Sequence, residues 1–248
     1  MDNKRFAQAC LLAATAKPDS LKGSPIGTLG EKTLHSVLKY YFEPDGSKQE
    51  IRIGSHFADI LGDSGIIEIQ TRQFNKLRNK LACFLPDYPV TLVYPVAETK
   101  WLYWIDESTG ETTKKRKSPK TGMPYEIFIE LYRIKPFLRE SNLKISIVML
   151  HLEEYRLLNG WSKDRKKGST RYERIPLEIV EEINIRGPSD YGKIIPDISE
   201  DSFTSGEFKK ASGLSIHGAR TALNVLNFVG AVERIGKKGN AFVYRRTV

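Results

Sequence analysis

From Asp59 to Gln70 the chain reads Asp-Ile-Leu-Gly-Asp-Ser-Gly-Ile-Ile-Glu-Ile-Gln, and no other stretch constrains the fold as strongly. Gln49 to Leu61 reads as one strand and Gly65 to Arg72 as a second. Gly62-Asp63-Ser64-Gly65 between them is turn chemistry that supplies the positive φ a tight reversal needs. With Leu61 facing Ile66 and Ile60 facing Ile67, Asp59 falls opposite Glu68, whether two or four residues form the loop. Two carboxylates facing each other across strands repel by roughly 0.2–1 kcal/mol, and more when half-buried. A positive group between them resolves the conflict, and a divalent metal is the simplest candidate.

Strand alternation puts Ile66, Glu68 and Gln70 on one face and Ile67, Ile69 and Thr71 on the other. Glu68 and Gln70 then project side by side, about 7 Å apart. A polar, solvent-facing strand edge is the competing reading. A third acid argues against it. Thr28 to Phe42 reads as a helix entered after Gly27, with an apolar stripe of Leu34, Val37, Leu38 and Tyr41. Glu31 stands three before Leu34 and seven before Leu38, so it shares that face. Burying it unpaired would cost several kcal/mol, so it must be paired or hydrogen-bonded. The plainer alternative is a first-turn acid favoured by the helix dipole.

A helix acid, a strand acid and a strand Glu-x-Gln, in that order, resemble the PD-(D/E)xK nuclease superfamily over roughly Gly23 to Ile105. The resemblance extends to an amphipathic helix over Gln73 to Leu85 and a buried strand over Val90 to Val96. It implies an α/β fold, a restriction-endonuclease-like mixed sheet flanked by helices. It also implies Asp59 and Glu68 as ligands of Mg²⁺ or Mn²⁺, Glu31 as the supporting acid, and Gln70 in the position usually taken by lysine. Those four residues are the candidate catalytic set. Glutamine can hydrogen-bond a water but carries no charge and cannot act as a base. Arg72, Lys76 and Lys80 are the nearby cations able to replace the lost charge. Lys76 and Lys80 lie four apart on the helix, where a solvated face is the plainer reading.

At 248 residues the chain can bury a sizeable core and is long enough for one large domain or two small ones. No apolar run approaches the twenty or so residues of a membrane span, so no membrane partner is expected. Met1 to Ala16 reads as a short helix rather than a signal peptide. Two cysteines, Cys10 and Cys83, give neither a disulfide framework nor a zinc spacing, and a cytoplasmic setting is the default. The net charge of +9 is uneven: residues 106–175 hold sixteen Lys/Arg against ten Asp/Glu. Much of that sits in Lys114-Lys115-Arg116-Lys117 with Lys120, and in Lys163, Arg165, Lys166, Lys167 and Arg171. Flanking Gly, Ser, Thr and Pro make both runs exposed loops that suit a polyanion. Between them, Pro124 to Arg133 and Leu143 to Leu152 read as further strands, and His151-Leu152-Glu153-Glu154 reads as surface.

From about Leu177 the texture changes to short helices and turns. Thr204 or Ser205 can cap a helix over Gly206 to Ser212, with Glu207 in its first turn. Gly213-Leu214-Ser215 is the turn, Ile216 to Phe228 the second helix, and two strands flank Gly236 to Asn240. This resembles a winged helix-turn-helix, giving a domain division of 1–175 and 176–248. From Lys209 onward there are eight Lys/Arg and one acid. Ser215, His217, Gly218, Arg220 and Thr221 would reach base edges, and Lys237 and Lys238 at the wing would contact phosphates.

Together these features imply a metal-dependent DNA endonuclease brought to duplex DNA by a winged helix, with a homodimer as one option for its assembly. The alternative is a non-catalytic DNA-binding regulator with a degenerate nuclease-like domain, Gln70 marking the loss. An RNA-directed binder using the same basic loops is a third reading.

Overall fold

A computed structural model describes residues 3–16, 32–160 and 170–247. The protein is mixed α/β. Helices α1 (Asn3–Thr15) and α2 (Lys32–Phe42) precede strands β1 (Gln49–Ile53), β2 (His56–Gly62) and β3 (Gly65–Ile69). A 3₁₀ turn, Phe74–Leu77, leads into α3 (Arg78–Phe84), followed by the long strand β4 (Val90–Ile105) and the short β5 (Arg116–Lys117). Next come α4 (Phe128–Arg133), β6 (Leu143–Leu157) and β7 (Thr170–Ile185). The chain closes with β8 (Ser202–Thr204), α5 (Ser205–Ser212), α6 (Ile216–Val229), β9 (Val232–Lys238) and β10 (Ala241–Arg246).

Seven strands form one mixed sheet in the order β1-β2-β3-β4-β6-β7, with β5 on β4, and three form a second in the order β8-β10-β9. β2 and β3 are antiparallel with Ile60 opposite Ile67 and Leu61 opposite Ile66, the register the apolar pattern requires. β3 and β4 are parallel, Glu68 lying beside Leu92, because the segment carrying α3 returns the chain to the same end of the sheet. β3 is therefore an interior strand, not a solvent-facing edge. Gly65 makes this possible. Its φ is +110°, and a Cβ there would lie 2.2 Å from the Pro89 carbonyl oxygen, which accepts the Ile66 N–H at 2.8 Å. Of the four turn residues it alone takes a positive φ.

Several expectations change. Gln49 to Leu61 is two strands rather than one, broken at Gly54, whose φ of +58° reverses the chain. Pro124 to Arg133 is not a strand: a 3₁₀ turn with proline in its first turn runs into α4. Ile127, Phe128, Leu131 and Ile134 are all buried, a helical spacing rather than a period of two. Residues 177–185 continue β7, so the division read between 175 and 176 falls inside a strand. Arg116-Lys117 forms β5 on β4 rather than an open loop. In contrast, α1 forms as read, and Leu34, Val37, Leu38 and Tyr41 are all buried.

Two compact units interleave along the chain. One comprises Met1–Gln49, Ala97–Gly122 and Met149–Glu181. In it α1 packs on α2, with Phe6 edge-on to Tyr41 at 6.4 Å. The other comprises Glu50–Val96, Met123–Val148 and Glu182–Val248. Its core includes Ile60, Ile66, Phe74, Leu81, Phe84 and Leu92, each worth about 1.5–3 kcal/mol of transfer free energy when fully buried. The same unit takes in the C-terminal elements, where Phe208 of α5 meets Phe128 of α4 at 6.4 Å.

Gly65→Ala tests how tightly the hairpin is seated. Loss of the positive-φ residue and the clash with Pro89 should destabilise the protein by roughly 2–4 kcal/mol, read as a lower urea midpoint.

Candidate active site

The ladder between β2 and β3 runs from Gly62 and Gly65 to Ile60 and Ile67. At the next step the side chains take over. The Asp59 N–H donates to Glu68 Oε1 at 3.3 Å, and the Ile69 N–H donates to Asp59 Oδ2 at 2.8 Å. Each carboxylate is thus held by a backbone N–H of the opposite strand. Glu68 is buried at 2% exposure, while Asp59 is half-buried, so the pair opens on the Asp59 side. From α3, Lys80 Nζ donates to Glu68 Oε2 at 2.8 Å and to Oε1 at 3.1 Å. Burial first, and then the Asp59 charge, push the Glu68 carboxyl up to about 7 despite the lysine. Asp59 and Lys80 thus act on the Glu68 carboxyl in opposite senses.

Lys80 is positioned from beneath. Gln73 takes a left-handed backbone conformation, φ 62° and ψ 46°, to start the 3₁₀ turn. The first N–H of that turn, Phe74, donates to Glu130 Oε2 at 2.8 Å. Glu130 also accepts from Arg133 at 2.9 Å, and Arg78 Nε reaches the Arg133 carbonyl at 2.6 Å. Sequence reasoning missed Glu130. Its signal was available: three after Ile127 and four before Ile134, it is an acid on an apolar helix face, the same argument that singled out Glu31. Because Phe74–Leu77 is 3₁₀ rather than α-helical, Lys76 and Lys80 do not act as a pair. Lys76 is exposed, and Lys80 is drawn to Glu68.

Gln70 leaves the strand with its N–H on the Val93 carbonyl at 2.9 Å, and its amide donates to the Arg72 carbonyl at 2.6 Å. Glu31, Lys166 and Lys167 lie outside the described residues. Among the described residues no three His, Cys, Asp or Glu side chains assemble into a metal-holding group. Asp59 and Glu68 supply two hard oxygen donors, a set that suits Mg²⁺ or Mn²⁺ completed by waters and substrate oxygens.

The basic candidates separate by environment. Lys114 and Arg116 are exposed, whereas Lys115 bonds Glu153 at 2.9 Å and lies 4.8 Å over the Trp101 ring. Glu154, read as surface, is fully buried. In the C-terminal elements Thr204 and Glu207 form a capping box on α5, and Gly213 ends it at φ 70°. The Ser215 hydroxyl caps α6 by accepting from the Gly218 N–H at 3.0 Å, so it serves the helix first. His217 and Arg220 are exposed and line a cleft of about 370 Å³ with Ile129, Tyr132 and Arg133 of α4. Toward the other end of α6, Lys135 bonds Asn224 at 2.9 Å and Arg139 donates to the Phe228 carbonyl. Lys237 and Lys238 are exposed on the β9–β10 hairpin, and Lys237 lies 5.1 Å over Phe242.

The arrangement defines a mixed α/β protein with a carboxylate couple at the end of an interior hairpin, Glu68 buried and paired to a lysine and Asp59 half-buried. By sequence, the chain belongs to the family described as "Domain of unknown function (DUF8091)", whose match covers residues 32–186. That match takes in the hairpin, α3, α4 and all of β7, and ends before the C-terminal helices. The chain is also similar to an uncharacterized protein of Treponema pallidum (strain Nichols), 30% identical over 228 residues, 89% of this chain and 87% of the relative. No solved structure matches. Among the described residues no helix is long and apolar enough to cross a membrane.

The Glu68 carboxyl gives a pH signature. Its value is about 7 in the folded, metal-free protein against an ordinary 4.5, so the folded state binds the proton between those values. The associated stability is fully present below pH 4.5 and is lost as pH rises through 7, on the order of 3 kcal/mol. Urea unfolding with chelator should show lower stability at pH 8 than at pH 5, and Glu68→Gln should flatten that slope.

Proposed function

We propose that this chain is a metal-dependent DNA endonuclease that hydrolyses phosphodiester bonds. The observation that carries the reading is the geometry at the hairpin end: Asp59 and Glu68 bridge the strands with Lys80 Nζ 2.8 Å from Glu68. The succession α2, β1, β2, β3, α3, β4 is the order of elements in the PD-(D/E)xK resemblance, which supports it further. Asp59 and Glu68 would hold Mg²⁺ or Mn²⁺, which when bound supplies Lewis acidity and screens charge on the phosphate. Lys80 carries the charge that Gln70 lacks. Released from Glu68, it is a compact cation able to stabilise a phosphate oxygen. Gln70 orients a water by hydrogen bonding without taking its proton.

The C-terminal elements act in this reading as the winged helix that holds duplex DNA. α4 stands beside α6, so reading of bases falls to the first turn of α6, where His217 and Arg220 are exposed. Lys237 and Lys238 contact phosphates. Reversing their charge should weaken binding to all sequences equally, while Arg220→Ala should change the preference among sequences, both read by fluorescence anisotropy.

Cleavage is tested with supercoiled plasmid in Mg²⁺, Mn²⁺ or EDTA. The unmodified protein should nick only with metal, Glu68→Gln should be inactive, and Lys80→Met should be slower by about 10²–10³-fold. Gln70→Lys should keep or raise the rate. Binding without nicking under every metal condition would instead favour the regulator with a degenerate nuclease-like domain.

A further inference from the structure

A second charge cluster, away from the carboxylate pair in sequence, has the opposite balance. Glu154 of β6 is fully buried. Arg156 grips Glu154 Oε1 from Nε at 2.7 Å and from Nη2. Arg174 Nε donates to Oε2 at 3.3 Å, and Lys100 Nζ stands 3.7 Å from the same oxygen. Arg171 Nε, at 3.5 Å, is a fourth cation on this carboxylate. The residues come from β4, β6 and β7, which are neighbours in the sheet. Arg116 of β5 lies opposite Leu102, which strand alternation puts on the same face as Lys100.

One arginine would satisfy a buried carboxylate. Among the described residues, Lys100, Arg156 and Arg174 share Glu154 as their acid, which leaves two positive charges uncompensated before Arg171 is considered. Crowding them costs like-charge repulsion and the freedom of three long side chains. The strain shows in Lys100, whose pKa is lowered by burial and by the surrounding arginines. Yet the side chains are not sealed: Lys100, Arg156 and Arg174 keep 20, 17 and 18% of their surface exposed. Arg174 commits only Nε to Glu154, so its terminal N–H groups remain for a planar, bidentate acceptor.

We propose that Lys100, Arg156 and Arg174 form a phosphate-binding site on this sheet face, with Glu154 fixing the two guanidinium groups. A surplus of two charges matches a phosphate group, which carries about −1.5 to −2 at neutral pH when it is not a diester. The group is either a free or terminal phosphate or one in a nucleic-acid backbone. The site involves neither Asp59 nor Glu68, and it stands whether or not the protein cleaves DNA.

The test is thermal unfolding of the full chain in phosphate-free buffer, titrated with inorganic phosphate against chloride at equal ionic strength. Phosphate should raise the Tm and chloride should not. Arg174→Gln and Lys100→Gln should leave the phosphate-free Tm level or higher, because each relieves repulsion, and should weaken phosphate binding about tenfold. Arg174→Lys, which keeps the charge but loses the fork, should fall between. No phosphate-specific rise in the unmodified chain overturns the proposal. So does a loss of phosphate-free stability in the Gln variants with the phosphate response intact, the behaviour of a purely structural network. Competition then separates the sources. Displacement of phosphate by a duplex oligonucleotide lacking terminal phosphates assigns a backbone group, and displacement only by a nucleoside monophosphate assigns a terminal or free one.

Discussion

The burial of Glu68 is the constraint around which the rest is arranged. A carboxylate at 2% exposure in an interior strand must find donors within reach, because leaving it bare would cost several kcal/mol. The donors come from two directions: the Asp59 N–H on the neighbouring strand and Lys80 on α3. That requirement fixes where α3 must start, which explains the left-handed Gln73 and the Glu130 carboxylate on the Phe74 N–H. It also requires β3 to run tightly beside the start of β4, and Gly65 removes the side chain that would prevent it.

Two of the buried charge clusters among the described residues are complementary in sign. At the hairpin, Glu68 meets a second acid, Asp59, and one lysine, Lys80, and burial raises its carboxyl. Around Glu154, Lys100, Arg174, Arg156 and Arg171 converge on one carboxyl, and although burial opposes it they hold that carboxyl down at about 2. The first offers carboxylate oxygens, and the second offers N–H donors. Neither balance is what packing alone would select, since an isolated buried pair of matched charges would cost less. The proposed activity rests on the first cluster and the proposed phosphate site on the second, and each is separately testable.

Legibility from sequence followed the range of the interactions. The β2–β3 register was readable because a one-residue slip would turn Ile60 and Ile66 out of the core. The ends of α5 and the stop of α6 were readable because Thr204, Gly213 and Gly230 are local capping signals, whereas Ser215, read as a base-contacting residue, caps α6. Short apolar runs were ambiguous: Pro124 to Arg133 fits a strand by composition, and only its contacts make it a helix. Residues 177–185 carry the acids Glu178, Glu181 and Glu182, which hid their continuation of β7.

The sequence by itself determined that Asp59 and Glu68 would meet, since a tight turn and an alternating pattern leave no other pairing. It also determined the helical stripe of α2 and the capped helices near the C-terminus. Tertiary structure alone decided that Lys80 rather than Lys76 reaches Glu68, that Glu130 anchors the turn before α3, and that Glu154 is buried among arginines. Those contacts join residues 12, 56 and 20 positions apart. Local propensity and periodicity extend over one turn or one hairpin, and partners this distant are chosen only when the packed sheet brings their strands and helices together.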